Sequence, residues 1–115
     1  MKHSVIKEKR FKFALRITSI SRWLREQKEY ELGRQVLRAG TSIGSNVEEA
    51  LAAISRRDFS AKMSIASKEA RESSYWLRLL RDSQVVPVPT IEPLVRECAE
   101  LILILTSIVK TSQGQ

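Results

Sequence analysis

The chain has 115 residues, 43% of them apolar, only 6% aromatic, and a formal net charge of +7. This length supports one domain around one modest core, its seven Gly and Pro residues are few for a β-rich chain dense in turns, and its single cysteine, Cys98, excludes an intrachain disulfide and a cysteine-built metal site. The charge is uneven: residues 1–40 hold 11 Lys/Arg against 4 Asp/Glu, whereas residues 41–115 hold nine of each, which suggests an anionic partner for the first third or serves solubility alone.

The first helix is expected over Ser4–Lys28. Phe13, Ile17, Ile20 and Leu24 recur at helical spacing, with Ala14 and Trp23 widening the stripe. Trp23 fits either the core or an interface. Lys7, Lys9, Arg10, Lys12 and Arg16 crowd the N-terminal half, where cations oppose the helix dipole. They therefore do little for local stability and are the candidate nucleic-acid contacts. With Phe11 interleaved, they offer phosphate contacts and a ring for stacking on a base; the plainer reading is a helix half core and half solvent.

The second helix is expected over Glu31–Ala53, with Leu32, Val36, Ile43, Val47, Ala50 and Ile54 on its apolar side. The turn before it lacks glycine and proline, so this boundary rests on periodicity, and a three-helix fold with the first two helices merged is the structural alternative. Gly40, Thr41, Ser42, Gly44, Ser45 and Asn46 are weak helix formers. They mark a break, or else a helix whose small side chains admit a close neighbour while hydroxyls bond back to helix carbonyls. The apolar spacing from Val36 through Ile43 to Val47 does not slip, which favours the continuous helix.

Ser55 followed by Asp58 reads as a capping box opening the third helix, which runs to Asp82. Phe59, Met63, Ala66, Ala70, Ser73, Leu77 and Leu80 define its inner face, with Trp76 beside it. Ser83–Pro89 is the one obvious loop. The fourth helix is expected from Thr90, as cap, to Thr111, with Pro93 in its first turn. Its apolar stripe includes Ile91, Leu94, Cys98, Leu101, Leu105 and Ile108. Leu103 and Ile104 carry it nearly around the helix, more than a bundle of four needs, and mark a contact with another subunit. Four helices with short links predict an all-α, antiparallel up-down-up-down four-helix bundle, frayed near residues 1–4 and 111–115.

The chemistry-bearing residues are sparse. His3 is the only histidine, at the expected disordered edge, so neither an imidazole triad nor a His/Cys zinc site is expected. Glu49, Glu69 and Glu72 lack the Glu-x-x-His partners of a two-metal bundle. No metal, cofactor or catalytic residue is expected. The acids fit a polar network between the second and third helices, in which Asn46 and Glu49 meet Glu72, Ser73 or Tyr75 and Arg38 and Arg71 balance the charge. No apolar run is long enough to span a membrane or follows the early lysines as a secretory leader would, so a cytoplasmic protein is expected.

The stretch Arg38-Ala-Gly-Thr-Ser-Ile-Gly-Ser-Asn-Val-Glu-Glu-Ala50 resembles the R-A-x-x-S-I-x-x-N-I-x-E signature of the bacterial four-helix bundle proteins, also called 23S ribosomal RNA intervening-sequence proteins. Asp58-Phe59, Ile65-Ala66-Ser67-Lys68-Glu69-Ala70-Arg71-Glu72 and Tyr75-Trp76-Leu77 extend the resemblance. Arg38, Ser42, Asn46, Glu49, Glu69 and Glu72 fall on the recurring polar positions of that family, and Glu49-Ala50 stands where Glu-Gly is common. The resemblance implies assembly into a homo-oligomeric ring, typically a pentamer. It extends to the accessory protein of diversity-generating retroelements, a basic barrel that binds a reverse transcriptase and nucleic acid. Two functions follow as expectations: an accessory subunit binding RNA, DNA or a reverse transcriptase through Lys7, Lys9, Arg10, Lys12 and Arg16, or a protein-interaction oligomer with no nucleic-acid role.

Overall fold

The structure is a computed structural model that describes residues 2–114. Four helices follow in order: α1 (Lys2–Glu26), α2 (Tyr30–Leu51), α3 (Arg56–Asp82) and α4 (Val88–Ser112). Each packs on its two ring neighbours, with α2 and α3 in the most extensive contact and α1 and α4 in the least. The chain runs up-down-up-down. A 25-residue helix spans about 37 Å, in keeping with the 44 Å long axis. The core is the expected one, built on Phe13, Ile17 and Leu24 of α1, Ile43 and Val47 of α2, Met63 and Leu77 of α3, and Ile91, Leu101 and Leu105 of α4.

α1 and α2 are separate helices, and the turn between them is built without glycine. Lys28 sits in the left-handed region at φ 64°. Its N–H donates to the Arg25 carbonyl at 2.9 Å, and the Glu29 N–H reaches back to the Leu24 carbonyl at 2.8 Å. This is the Schellman arrangement with lysine in the position glycine usually takes. The same closure ends α3: Gln84 has φ 64°, and the Val85 N–H donates to the Leu80 carbonyl at 3.2 Å. Because lysine and glutamine carry no turn signal, α1 was expected to reach Lys28 but ends at Glu26.

Other boundaries shift for local reasons. α2 stops at Leu51, so Ile54, expected on its apolar side, is 98% exposed in the link to α3. α3 opens as expected, the Asp58 N–H donating to Ser55 Oγ at 3.0 Å. α4 begins before Thr90: the Pro87 carbonyl accepts from the N–H groups of Thr90 and Ile91 at 3.0 and 3.1 Å, so Pro87 is the cap and Pro93 lies beyond the first turn. Residues 2–4 and 111–112 are helical; Met1 and Gln115 lie outside the described residues. His3 packs its ring 5.2 Å from that of Phe59. Arg56 ties the same end together, donating to the Ser112 and Thr111 carbonyls at 2.9 and 3.3 Å. A cation there also suits the negative end of the α4 dipole.

α2 runs unbroken through its weak helix formers. Thr41 Oγ1 donates to the Leu37 carbonyl at 2.6 Å and Ser45 Oγ to that of Ser42 at 3.4 Å. The glycines differ in what they permit. A Cβ at Gly40 would lie 2.7 Å from Cγ2 of the buried Ile17, whereas one at Gly44 would meet nothing nearer than 3.9 Å. Gly40 is therefore the point where α1 closes onto α2, whereas Gly44 has room for a methyl group at ordinary contact distance from Arg10. Gly40→Ala is expected to destabilise the fold by about 1–3 kcal/mol through overpacking. Gly44→Ala should stabilise it by up to about 1 kcal/mol through helix propensity alone. Urea unfolding of the two variants checks this, and equal shifts of one sign would refute it.

Candidate nucleic-acid interface

The helical phase of α1 divides its basic residues between faces. Lys9, Lys12 and Arg16 lie on the side toward α4, Arg10 on the side toward α2, and Lys7 where that side meets the outward face. Lys9 Nζ meets Glu100 at 2.6 Å and Arg16 meets Glu97 at 2.9 Å, both across the α1–α4 seam. Lys12 pairs with Glu8 within α1 at 3.0 Å. Arg10 pairs with Glu48 of α2 and also donates to the Lys7 carbonyl at 3.0 Å. The five candidates thus form two edges, and four of them have carboxylate partners. The hydrogen bond from Lys9 to Glu100 raises the pKa of that lysine, and the bond from Lys12 lowers that of Glu8.

Among the described residues, Lys7, Arg22 and Arg25 make no ion pair and are exposed. They share the outward face of α1 with Phe11 and Leu15, which are 61% and 58% exposed. Arg22 and Arg25 lie outside the charge-dense N-terminal half of α1 and were not among the sequence candidates. What marks them as candidates is their phase, shared with Lys7 and Phe11.

The expected polar network separates into four parts. Arg38 pairs with Glu72 and, at 3.4 Å, with Glu69; Gln35 Oε1 accepts from it at 3.3 Å. Trp76 Nε1 donates to Glu72 at 3.0 Å. Asn46 instead bonds within its own helix, to the Ser42 carbonyl and hydroxyl at 2.9 and 3.2 Å. Glu49 pairs with Lys62 at 3.0 Å, and Arg71 donates to Thr106 of α4 at 3.3 Å. The reason is register. α2 and α3 run antiparallel, so with Arg38 opposite Glu72, Asn46 lies about 12 Å further along and Glu49 further still. Asn46 and Glu49 therefore do not meet Glu72, Ser73 or Tyr75. The indole N–H and the Arg38 guanidinium hold the Glu72 carboxyl below its ordinary value, against partial burial.

On α4, Leu103 points outward at 73% exposure, whereas Ile104 is partly buried and packs against the core. Trp23 packs at the core edge, facing Val86, Pro87 and Leu94 across a groove on the α1–α4 seam. Cys98 is buried, its thiol donating to the Ala70 carbonyl at 3.2 Å, and burial pushes its pKa up to about 12. Among the described residues no three His, Cys, Asp or Glu side chains converge as metal ligands, and no helix is long and apolar enough to cross a membrane.

Fold and surface together define a small basic four-helix bundle whose helices are joined by ion pairs along every seam. The chain belongs to the 23S rRNA-intervening sequence protein family, whose model matches residues 2–107. It is also similar to a protein of unknown function from the S23 ribosomal protein family of Bacteroides thetaiotaomicron VPI-5482, solved by crystallography. Identity is 43%, coverage is 96% of this chain and 99% of that one, and the TM-score is 0.91. No curated protein matches the chain.

A depressed carboxyl stabilises the fold above its unfolded pKa, and that contribution is lost as pH falls through the folded value. Glu72→Gln is therefore expected to lower the melting temperature near neutrality and to flatten the decline between about pH 5 and pH 3. Parallel melting curves for the two proteins across that range would contradict this role for Glu72. The buried Cys98 thiol should resist alkylation at pH 8 in the folded protein and react at the rate of global unfolding. Rapid stoichiometric labelling without denaturant would overturn that expectation.

Proposed function

We propose that the protein is a non-enzymatic, oligomeric accessory protein that binds nucleic acid, RNA or DNA, through the outward face of α1, alone or together with a reverse transcriptase. One observation carries this: among the described residues, Lys7, Arg22 and Arg25 have no ion-pair partner and share that face with the exposed ring of Phe11. Unpaired cations can release counterions from a phosphate backbone, and an exposed ring offers a base a stacking surface. The uneven charge, with the whole surplus in residues 1–40, supports the same face. The reverse-transcriptase part rests on the resemblance to retroelement accessory proteins. The non-enzymatic part is supported by Glu49, Glu69 and Glu72, each engaged by Lys62 or Arg38 rather than by one another. Leu103, outward on α4, supports self-association, with a pentamer as the assembly the resemblance implies.

A second reading is a protein-interaction or structural oligomer with no nucleic-acid role. The carboxylates already holding Lys9, Arg10, Lys12 and Arg16 favour it. Size exclusion with light scattering, with and without a structured RNA across a salt series, separates the two. The proposal expects an oligomer whose RNA complex weakens steeply with salt. The triple variant Lys7→Glu, Arg22→Glu, Arg25→Glu should keep the oligomer mass and reduce the salt slope by about one per contact removed. An oligomer that ignores RNA even at low salt would leave the second reading standing.

A further inference from the structure

The basic face of α1 borders a hollow on its α2 side. Lys7, Arg10, Phe11 and Ala14 follow the i, i+3, i+4, i+7 pattern of one helix ridge. Thr41, Gly44, Ser45 and Glu48 repeat that pattern on α2. All but Lys7 line a hollow of about 230 Å³ between the helices. It is open because Ala14, Gly44 and Ser45 are small, and a Cβ at Gly44 would still clear Arg10 Cδ by 3.9 Å.

Arg10 is unusual for a surface cation. Its side chain is only 11% exposed, and its Nε is buried with no hydrogen-bond partner. One terminal nitrogen donates to the Lys7 carbonyl at 3.0 Å and the other to Glu48. Glu48, by contrast, is 70% exposed, so its carboxylate regains water when it leaves, and an anion that takes its place keeps the largely buried guanidinium paired. A guanidinium is fixed in place while the anion it holds is not. When Glu48 leaves, the terminal nitrogen it held is open to a ligand with several acceptor oxygens, which a phosphate has. Ser45 makes only a long bond to its own helix, 3.4 Å, and can turn its hydroxyl toward the hollow. Phe11, at the rim, has its ring free.

We infer that this hollow is a site for one phosphodiester group of a single-stranded nucleic acid, with Arg10 receiving the phosphate in place of Glu48 and Phe11 stacking on the adjoining base. The inference rests on the nucleic-acid function proposed above and makes it specific. Paired bases in a duplex are stacked on one another and cannot turn a face to Phe11, so the site selects single strands. Glu48 acts as a built-in competitor that lowers affinity until a phosphate displaces it.

The test is fluorescence anisotropy at low salt with a short labelled oligothymidylate and a duplex of the same length, on the full chain and on two variants of exposed residues, with circular dichroism confirming the fold. The single strand should bind more tightly than the duplex. Glu48→Gln should tighten single-strand binding by about three- to five-fold. Phe11→Ala should weaken it by about ten-fold and leave duplex binding unchanged. Equal binding of strand and duplex, unmoved by either substitution, would overturn the site while leaving nucleic-acid binding by α1 intact. Weaker binding by Glu48→Gln would show that the ion pair builds the site instead of blocking it, and would also overturn the inference. Failure of the wild-type protein to bind either probe would overturn both this site and the function on which it rests.

Discussion

The arrangement of the bundle depends on how closely α1 approaches α2 at Gly40. Ile17 occupies the volume a β-carbon would fill there, and one heptad earlier a β-carbon at Gly33 would lie a tight but less severe 3.3 Å from Leu24. Drawn onto α2 at these points, α1 gives up intimacy with α4, and the seam on that side is bordered by grooves. The two helices there are bridged largely by long charged side chains, Lys9 to Glu100 and Arg16 to Glu97. The hollow under Arg10 has the same origin: Gly44 continues the run of small residues past the point of closest approach, where α1 no longer fills the gap.

Ion pairs in this protein organise neighbours more than they add stability. Exposed pairs contribute about 0–1 kcal/mol each, but every seam of the ring has at least one. Arg10 and Glu48 join α1 to α2, Arg38 with Glu69 and Glu72 joins α2 to α3, Arg81 and Glu92 join α3 to α4, and Lys9 and Glu100 close the circuit. A bundle of similar apolar stripes can be assembled in more than one order or register, and a misplaced helix would set like charges together. The charge surplus of the first third is thus largely spoken for in the N-terminal half of α1. It is left unopposed by ion pairs on the outward face.

Much of the fold was legible because its signals are local. Apolar periodicity located all four helices, the Ser55–Asp58 box marked the start of α3, and the unslipped spacing across Gly40 and Gly44 kept α2 whole. Boundaries failed where the stop signal was a backbone conformation that side-chain identity does not report, as at Lys28, or where a carbonyl supplied the cap, as at Pro87. The polar cluster was half legible. Arg38, Glu69 and Glu72 do meet, but assigning Asn46 and Glu49 to them required the register of α2 against α3, which no local pattern contains. The basic face was similarly divided: composition located the charge, while only the packed neighbours reveal which cations already hold a carboxylate.

The two glycine-free turns close the same end of the bundle, each completing one pair of adjacent antiparallel helices. Both fold the chain back within a few residues, so α1 with α2 and α3 with α4 are units of short sequence separation. Their joining face, α2 against α3, is the most extensive in the molecule and is itself formed between consecutive helices. Only the contact of α1 with α4 requires distant parts of the chain to meet, and it is the slightest of the four. Such a topology has little loop-closure entropy to overcome before most of its contacts form, which places this chain among the rapidly folding architectures.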